Sequence, residues 1–327
     1  MKVENRPPIK DSEILVTGGA GFIGSHLVDK LLELGAKHVV VIDNLFVGSE
    51  ENLKAALGTG KVTFYRDDAE LQTSLHYIFS NHSIDVVFNC ATKALNYSFL
   101  NPANAFDTNV KVVLNLLEAQ RQGLFKTMCH FSTSEVYGTA VYEPMDENHP
   151  RNPTTTYAAG KAAADMAVES YVRMFGLDAF IVRPFNNYGP RQNHKGMLAG
   201  VIPITAVRLM NGITPEIHGE GTQSRDFIYV ADTVDAVAKL YSKLAAGESV
   251  NISTDNQISI NELIPTICEF FGYSGEILRK PARHSDVLCH NASNEKVKSM
   301  IDYSLTPFES GLKKTLQWYA EQLEGKS

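Results

Sequence analysis

The stretch Thr17 to Gly24, T-G-G-A-G-F-I-G, limits the fold of this chain more than any other eight residues. An apolar run, Ile14 to Val16, leads into it, and an amphipathic helical pattern follows without a break. Gly18, Gly21 and Gly24 stand where a tight turn, close approach of backbone to a pyrophosphate and close helix packing each exclude a side chain; Phe22 and Ile23 lie between them. Asp43 closes a second apolar run, Val39 to Ile42, at the separation expected of a carboxylate that accepts hydrogen bonds from adenosine ribose hydroxyls, and Asn44 beside it counts with the same site. No arginine directly follows Asp43, which favours NAD over NADP. Asp67, after a third apolar run, is a candidate for the adenine edge; an exposed loop carboxylate is the competing reading.

Six short apolar runs read as buried strands: Ile14 to Val16, Val39 to Ile42, Val62 to Tyr65, Val86 to Cys90, Met128 to Phe131 and Ala179 to Val182. Segments with three-to-four-residue apolar spacing separate most of them, so the expected fold is α/β, a parallel sheet covered by helices on both faces. One helix opens at Pro102, stops at Gly123 and lines up Phe106, Val110, Val113, Leu114 and Leu117. Another runs from about Tyr157 to Phe175, is closed by Gly176, and has an alanine-rich first half that permits close approach of another helix. Packing on their own sheet explains both, and their double-sided apolar character equally suits a helix-pair homodimer interface.

Past Arg183 the rhythm changes. Proline and glycine punctuate Pro184 to Gly221, around a helix-like Ile202 to Met210. Residues 1–183 are expected to form the cofactor domain, rejoined by 226–250 through a strand-like Phe227 to Val230 and a helix Val234 to Leu244. Residues 184–225 and 251–327 then form a smaller lobe, with helical patterns at Ile258 to Phe271 and Phe308 to Leu323. A cleft between two lobes is the default ligand site.

A formal net charge of −7 over 327 residues argues against a nucleic-acid or anionic-membrane partner. The first eleven residues are polar and carry Pro7 and Pro8 in place of an apolar signal core, and no apolar run is long enough to span a bilayer, so a cytoplasmic protein is expected. Cys90, Cys129, Cys268 and Cys289 show no C-x-x-C spacing and read as free buried thiols; no metal is expected.

Chemistry concentrates where the fifth strand ends. F-S-T-S-E-V-Y-G, Phe131 to Gly138, breaks an apolar run with three small polar residues and the carboxylate of Glu135. Tyr157 and Lys161, four apart, share a helix face, and an ammonium there is expected to lower the phenol pKa so that a phenolate can take a hydroxyl proton during hydride transfer.

With these pieces in order the chain resembles the extended short-chain dehydrogenase/reductases that act on nucleotide sugars. The similarity runs over nearly its whole length, through T-G-G-A-G-F-I-G, Asp43, S-T-S-E-V-Y-G, Y-A-A-G-K, R-P-F-N-N-Y-G-P, R-D-F-I-Y-V-A-D and the late W-Y. The resemblance implies a Rossmann domain with bound NAD, a smaller substrate lobe, and an active site of Thr133, Tyr157 and Lys161. It implies that Lys93 and Asn109, in C-A-T-K-A-L and D-T-N-V, sit near the cofactor. It also implies that Asn186 and Arg225, with Arg191, hold a nucleotide diphosphate over which Arg283 and Asp286 close; arginine forks suit that group.

Members of this family share oxidation at the sugar C4. A 4-epimerase then needs no further base, whereas a 4,6-dehydratase must remove the C5 proton, and Glu135 is placed for that; UDP-glucuronate decarboxylases also carry T-S-E. The loop A-L-N-Y-S-F-L-N-P resembles that of dehydratases acting on nucleotide-linked N-acetylglucosamine, and the proline-rich segment of the decarboxylases is missing after Cys90. The expectation is an NAD-dependent 4,6-dehydratase on UDP- or GDP-N-acetylglucosamine. Many dTDP-glucose dehydratases have an acid where this chain has Ser134, so either Glu135 itself or water relayed by Ser134 protonates the leaving hydroxyl. A non-catalytic NAD-sensing module is the rival class, and the presence of Thr133, Tyr157 and Lys161 together speaks against it.

Overall fold

The computed structural model describes residues 6–282 and 291–324. Short, mostly buried strands alternate with helices through the first 250 residues. The strands are β1 (Glu13–Thr17), β2 (His38–Ile42), β3 (Val62–Tyr65), β4 (Val86–Asn89), β5 (Thr127–Phe131) and β6 (Asp178–Pro184); the helices are α1 (Phe22–Glu33), α2 (Lys54–Leu57), α3 (Gln72–Asn81), α4 (Pro102–Arg121) and α5 (Thr156–Phe175). Then follow β7 (Asn186–Tyr188), α6 (Val201–Met210), β8 (Glu216–His218), β9 (Ser224–Arg225), β10 (Phe227–Tyr229), α7 (Val230–Leu240), β11 (Ser249–Ile252), α8 (Ile260–Phe270), α9 (Glu295–Met300) and α10 (Phe308–Glu324). The fold is a doubly wound parallel α/β sheet of the Rossmann type, with strand order β11-β6-β5-β4-β1-β2-β3.

Continuous apolar runs become central strands because both faces are covered. Val16, Val41, Phe88 and Cys129 pack on one side, and Leu15, Val40, Val87 and Met128 on the other. A one-residue slip of register would exchange these two sets between faces that carry different helices.

All six expected strands form, and β11 adds the edge beside β6. Phe227 to Val230 does not rejoin this sheet. Phe227–Tyr229 pairs in parallel with Asn186–Tyr188 instead, in a two-stranded sheet of its own. A separate apolar cluster, including Tyr188, Ile202, Ile217, Leu263, Leu312 and Tyr319, forms the core of the smaller lobe.

Helices α4 and α5 begin and end as their caps dictate. Asn101 accepts from Asn104 N with Pro102 in the first turn, and Gly176 closes α5 in the left-handed conformation. The small residues of α5 do allow close packing: a Cβ on Gly160 would lie 2.9 Å from the Phe106 carbonyl oxygen of α4. Cys90, Cys129 and Cys268 are free thiols, while Cys289 lies outside the described residues.

Candidate active site

The C-terminal ends of β1, β2, β4, β5 and β6 open onto a cavity of about 370 Å³ lined by the glycine-rich turn, Asp43, Asn44, Lys93, Ser132, Tyr157 and Lys161. Gly18 has φ +67°, and a side chain on it would run into the backbone of Cys90 and Ala91. A Cβ on Gly24 would overlap the Gly18 carbonyl oxygen, while one on Gly21 would meet only that oxygen, at 3.1 Å, and otherwise fill the cavity. Gly21 is the N-cap of α1 and offers no side chain to its first amides, so the helix presents bare N–H groups to whatever lies in the cleft. Phe22 and Ile23 line the same wall.

Asp43 ends β2 with its carboxylate accepting from Ala20 N at 3.0 Å and Leu45 N at 2.8 Å, and burial pushes its pKa up. Asn44 donates to Asp68 at 2.7 Å, and both line the cavity. Asp67 does not; it accepts from the Asp68 amide at 2.7 Å, so the carboxylate facing the cleft is one residue further on. Lys93 faces the cavity and Asn109 stands behind it. The buried Asn109 amide oxygen accepts from Thr92 Oγ1 at 3.0 Å and Lys93 N at 2.9 Å, shaping the loop without lining the cavity.

A cradle without Cβ atoms, a bare helix N-terminus and a ribose-reading carboxylate at the neighbouring strand end fit a dinucleotide. The model of the NAD dependent epimerase/dehydratase family matches residues 14–253. This chain belongs to that family, within the extended short-chain dehydrogenase/reductases, and its cofactor is NAD.

Among family relatives, a putative UDP-glucose 4-epimerase of Methanocaldococcus jannaschii is 35% identical over 309 residues, covering 93% of this chain and 97% of that protein. The crystal structure of a UDP-glucose 4-epimerase from Thermotoga maritima, with UDP-glucose, superposes with TM-score 0.89 at 35% identity, covering 95% of this chain and 99% of the other. A dTDP-glucose 4,6-dehydratase from Streptomyces venezuelae with NAD bound has the same TM-score at 28% identity, covering 96% and 98%.

The candidate reacting groups sit at the end of β5 and the start of α5. Thr133 caps a single 3-10 turn, Ser134–Tyr137, by accepting from Glu135 N at 3.3 Å, and hydrogen-bonds the Tyr157 phenol. Ser134 is only 3% exposed. Glu135 stands near enough to Tyr157 for its charge to raise the phenol pKa.

Burial is the larger influence. It pushes Tyr157 up to about 12, opposed by hydrogen bonds from Thr133 and Thr92, and it pushes Lys161 down to about 8. The expected lowering of the phenol pKa by Lys161 is therefore corrected: the groups that lower it are Thr133 and Thr92, not Lys161, and burial outweighs both.

The shell beneath the site was not legible as such. Arg183, at the end of β6, donates from Nε and Nη2 to Asp165 at 3.0 and 2.9 Å, and from Nη1 to Tyr137 and Ser249 at 3.1 and 2.7 Å. One buried guanidinium thus ties α5 to the catalytic turn and to β11. The i+4 spacing from Lys161 to Asp165 was the available signal. Thr92, Asp68 and Ser132 were also missed; each neighbours a residue that the sequence did single out.

A second cavity of about 280 Å³ adjoins the first, sharing Leu95, Gln192 and Gly200 with it, and is lined by Asn186 and Arg225 together with Arg208, Glu216 and His218. Arg191 lines neither cavity; it pairs with Asp29 of α1 at 2.7 Å. Arg283 and Asp286 lie outside the described residues.

Proposed function

We propose that this enzyme is a nucleotide-sugar 4,6-dehydratase, acting on UDP- or GDP-N-acetylglucosamine. The observation that carries the reading is the carboxylate of Glu135, on the turn that Thr133 caps and near enough to Tyr157 for its charge to act on the phenol. When bound, NAD would supply the acceptor for a hydride from C4 and the donor of that hydride to C6.

Tyr157 takes the C4 hydroxyl proton, with Thr133 holding the oxygen and Lys161 supplying positive charge. The resulting ketone acidifies the C5 proton, which Glu135 removes. Glu135 then gives this proton to the C6 oxygen as the C6–O bond breaks, and water leaves. Addition of hydride to C6 and of a proton to C5, balancing the one that Tyr157 took, completes the 4-keto-6-deoxy sugar. The 3% exposure of Ser134 supports Glu135 as the acid over a water relayed by Ser134. Asn186 and Arg225 hold the diphosphate in the adjoining cavity.

Oxidation at C4 and return of the hydride to C4 is the content of the second reading, a 4-epimerase; two relatives at 35% identity carry that name, and a third at 35% is named a UDP-glucuronic acid decarboxylase. That reaction has no use for a second base. Replacing Glu135 by Gln separates the two: a dehydratase keeps C4 oxidation, seen as NADH absorbance, and loses release of water. Unchanged dehydration by Glu135→Gln removes Glu135 from the mechanism.

The protein is further proposed to work in the cytoplasm as a homodimer. Among the described residues no helix is long and apolar enough to cross a membrane. Helices α4 and α5 leave Leu114, Met166 and Met174 exposed, and a second copy packed on this pair would cover them. Sedimentation of a monomer at micromolar concentration would dispose of the dimer.

A further inference from the structure

The cofactor cavity has a roof that the proposed chemistry does not use. Strand β1 lies between β2 and β4 in the sheet, so the loops leaving β2 and β4 stand on either side of the glycine-rich turn that leaves β1. With neighbouring strands about 4.8 Å apart, these loops start roughly 10 Å from each other, and the gap between them opens onto the bare N-terminus of α1.

Side chains from both loops meet across that gap. Phe46 comes from the β2 side, and Lys93 and Tyr97 from the β4 side. The Lys93 ammonium stands 3.9 Å from the centroid of the Phe46 ring and 5.7 Å from that of Tyr97, and the two rings meet edge to face at 4.9 Å. Phe46 and Lys93 both line the cavity. The stem of Lys93 starts from backbone that Asn109 holds at 2.9 Å. On the other side Leu45 has φ +58°, a conformation rare for a leucine, and directs the chain into the loop that carries Phe46.

We propose that Phe46, Lys93 and Tyr97 form a strap over the glycine-rich turn that keeps NAD in the enzyme between turnovers. A cofactor that takes a hydride and gives it back in the same cycle gains nothing by leaving, and a cation held on the Phe46 ring, with the Tyr97 ring packed against that ring, joins the two loops over the glycine-rich turn. The strap works by slowing release; it takes no part in proton or hydride transfer. It rests on NAD binding and is independent of which sugar reaction follows.

The test is the rate at which NAD carried by the purified holoenzyme exchanges with isotopically labelled NAD. Phe46 is 40% exposed, so its replacement leaves the core intact. Phe46→Leu, which keeps apolar bulk and removes the ring face, is expected to release NAD roughly tenfold faster, from the strength of a cation held on a partly desolvated ring. Phe46→Tyr, which keeps the ring, should exchange near the parental rate. In a Lys93→Met background Phe46→Leu should add little, because the ring has lost its cation. Parental exchange in Phe46→Leu overturns the proposal, as does an undiminished effect of Phe46→Leu in Lys93→Met.

Discussion

Lys161 Nζ donates a 2.8 Å hydrogen bond to the carbonyl oxygen of Phe131, fastening α5 to the last residue of β5. The bond fixes the ammonium one helical turn beyond Tyr157, at the point where the strand breaks into the catalytic turn. It also takes the charge out of water, and burial draws the Lys161 pKa down to about 8. The residue that the proposed reaction uses is therefore a burden on the fold.

That burden has a pH signature. The unfolded chain binds the Lys161 proton up to the ordinary value of 10.5, while the folded chain releases it near 8. Between those values the unfolded state holds more protons, so stability rises with pH across the window, and below about pH 8 the full penalty applies. Cofactor-free Lys161→Met should be the more stable protein at pH 7, by on the order of 2 kcal/mol once the orphaned Phe131 carbonyl is allowed for, and the difference should close by about pH 10. Urea unfolding of both proteins at several pH values measures it.

The guanidinium beneath the site gives the opposite result. Arg183 and Asp165 are both almost fully buried, so removing one partner strands a charge. Asp165→Ala should cost roughly 3 to 5 kcal/mol in the same unfolding experiment. The paired change Asp165→Leu with Arg183→Met should recover much of that loss.

For the cofactor cradle, the sensitive position is Gly24. A methyl group there would overlap the Gly18 carbonyl oxygen, and the loop must move to admit it. Gly24→Ala should purify with little or no NAD while keeping its helical circular dichroism. Calorimetric titration with NAD should show at least about a tenfold loss of affinity, the cost of forcing a backbone shift on a close-packed turn.

The proposed proton acceptor at C4, Tyr157, is tested by the half-reaction. A phenol pushed up to about 12 by burial is a base only in its ionised minority, so the rate of C4 oxidation should rise with pH between about 6 and 8. Tyr157→Phe should lower it by about two to four orders of magnitude. Stopped-flow NADH absorbance on mixing with nucleotide sugar reports both.

These relationships differ in how far the sequence announces them. Val39 to Ile42 announces a buried strand, because a run of β-branched residues between turn signals needs cover on both faces, and Met128 to Phe131 reads the same way although His130 interrupts it. Gly18, Gly21 and Gly24 announce their cradle by excluding side chains. Asp67 shows where such reading stops. Its register places a carboxylate at the right strand end, but only folded geometry turns Asp68 into the cleft in its place.

Arg191 is a similar case, since no local pattern tells that the chain turns at φ +67° and hands the guanidinium to Asp29. The pKa of Tyr157 depends on a competition between the Thr133 and Thr92 hydroxyls and desolvation, and desolvation belongs to the tertiary structure. Phe46 and Lys93, 47 residues apart in sequence, meet only because β1 inserts between β2 and β4.

The role of Glu135 is tested most directly by the mass of the product. The enzyme is incubated in deuterium oxide with UDP-N-acetylglucosamine and, separately, with GDP-N-acetylglucosamine, and the nucleotide sugars are analysed by mass spectrometry. Elimination across C5 and C6 predicts a product that has lost one water and gained one deuterium, at C5. A product of unchanged mass, epimerised at C4 and free of deuterium, would contradict the dehydratase and leave Glu135 without a part in the chemistry.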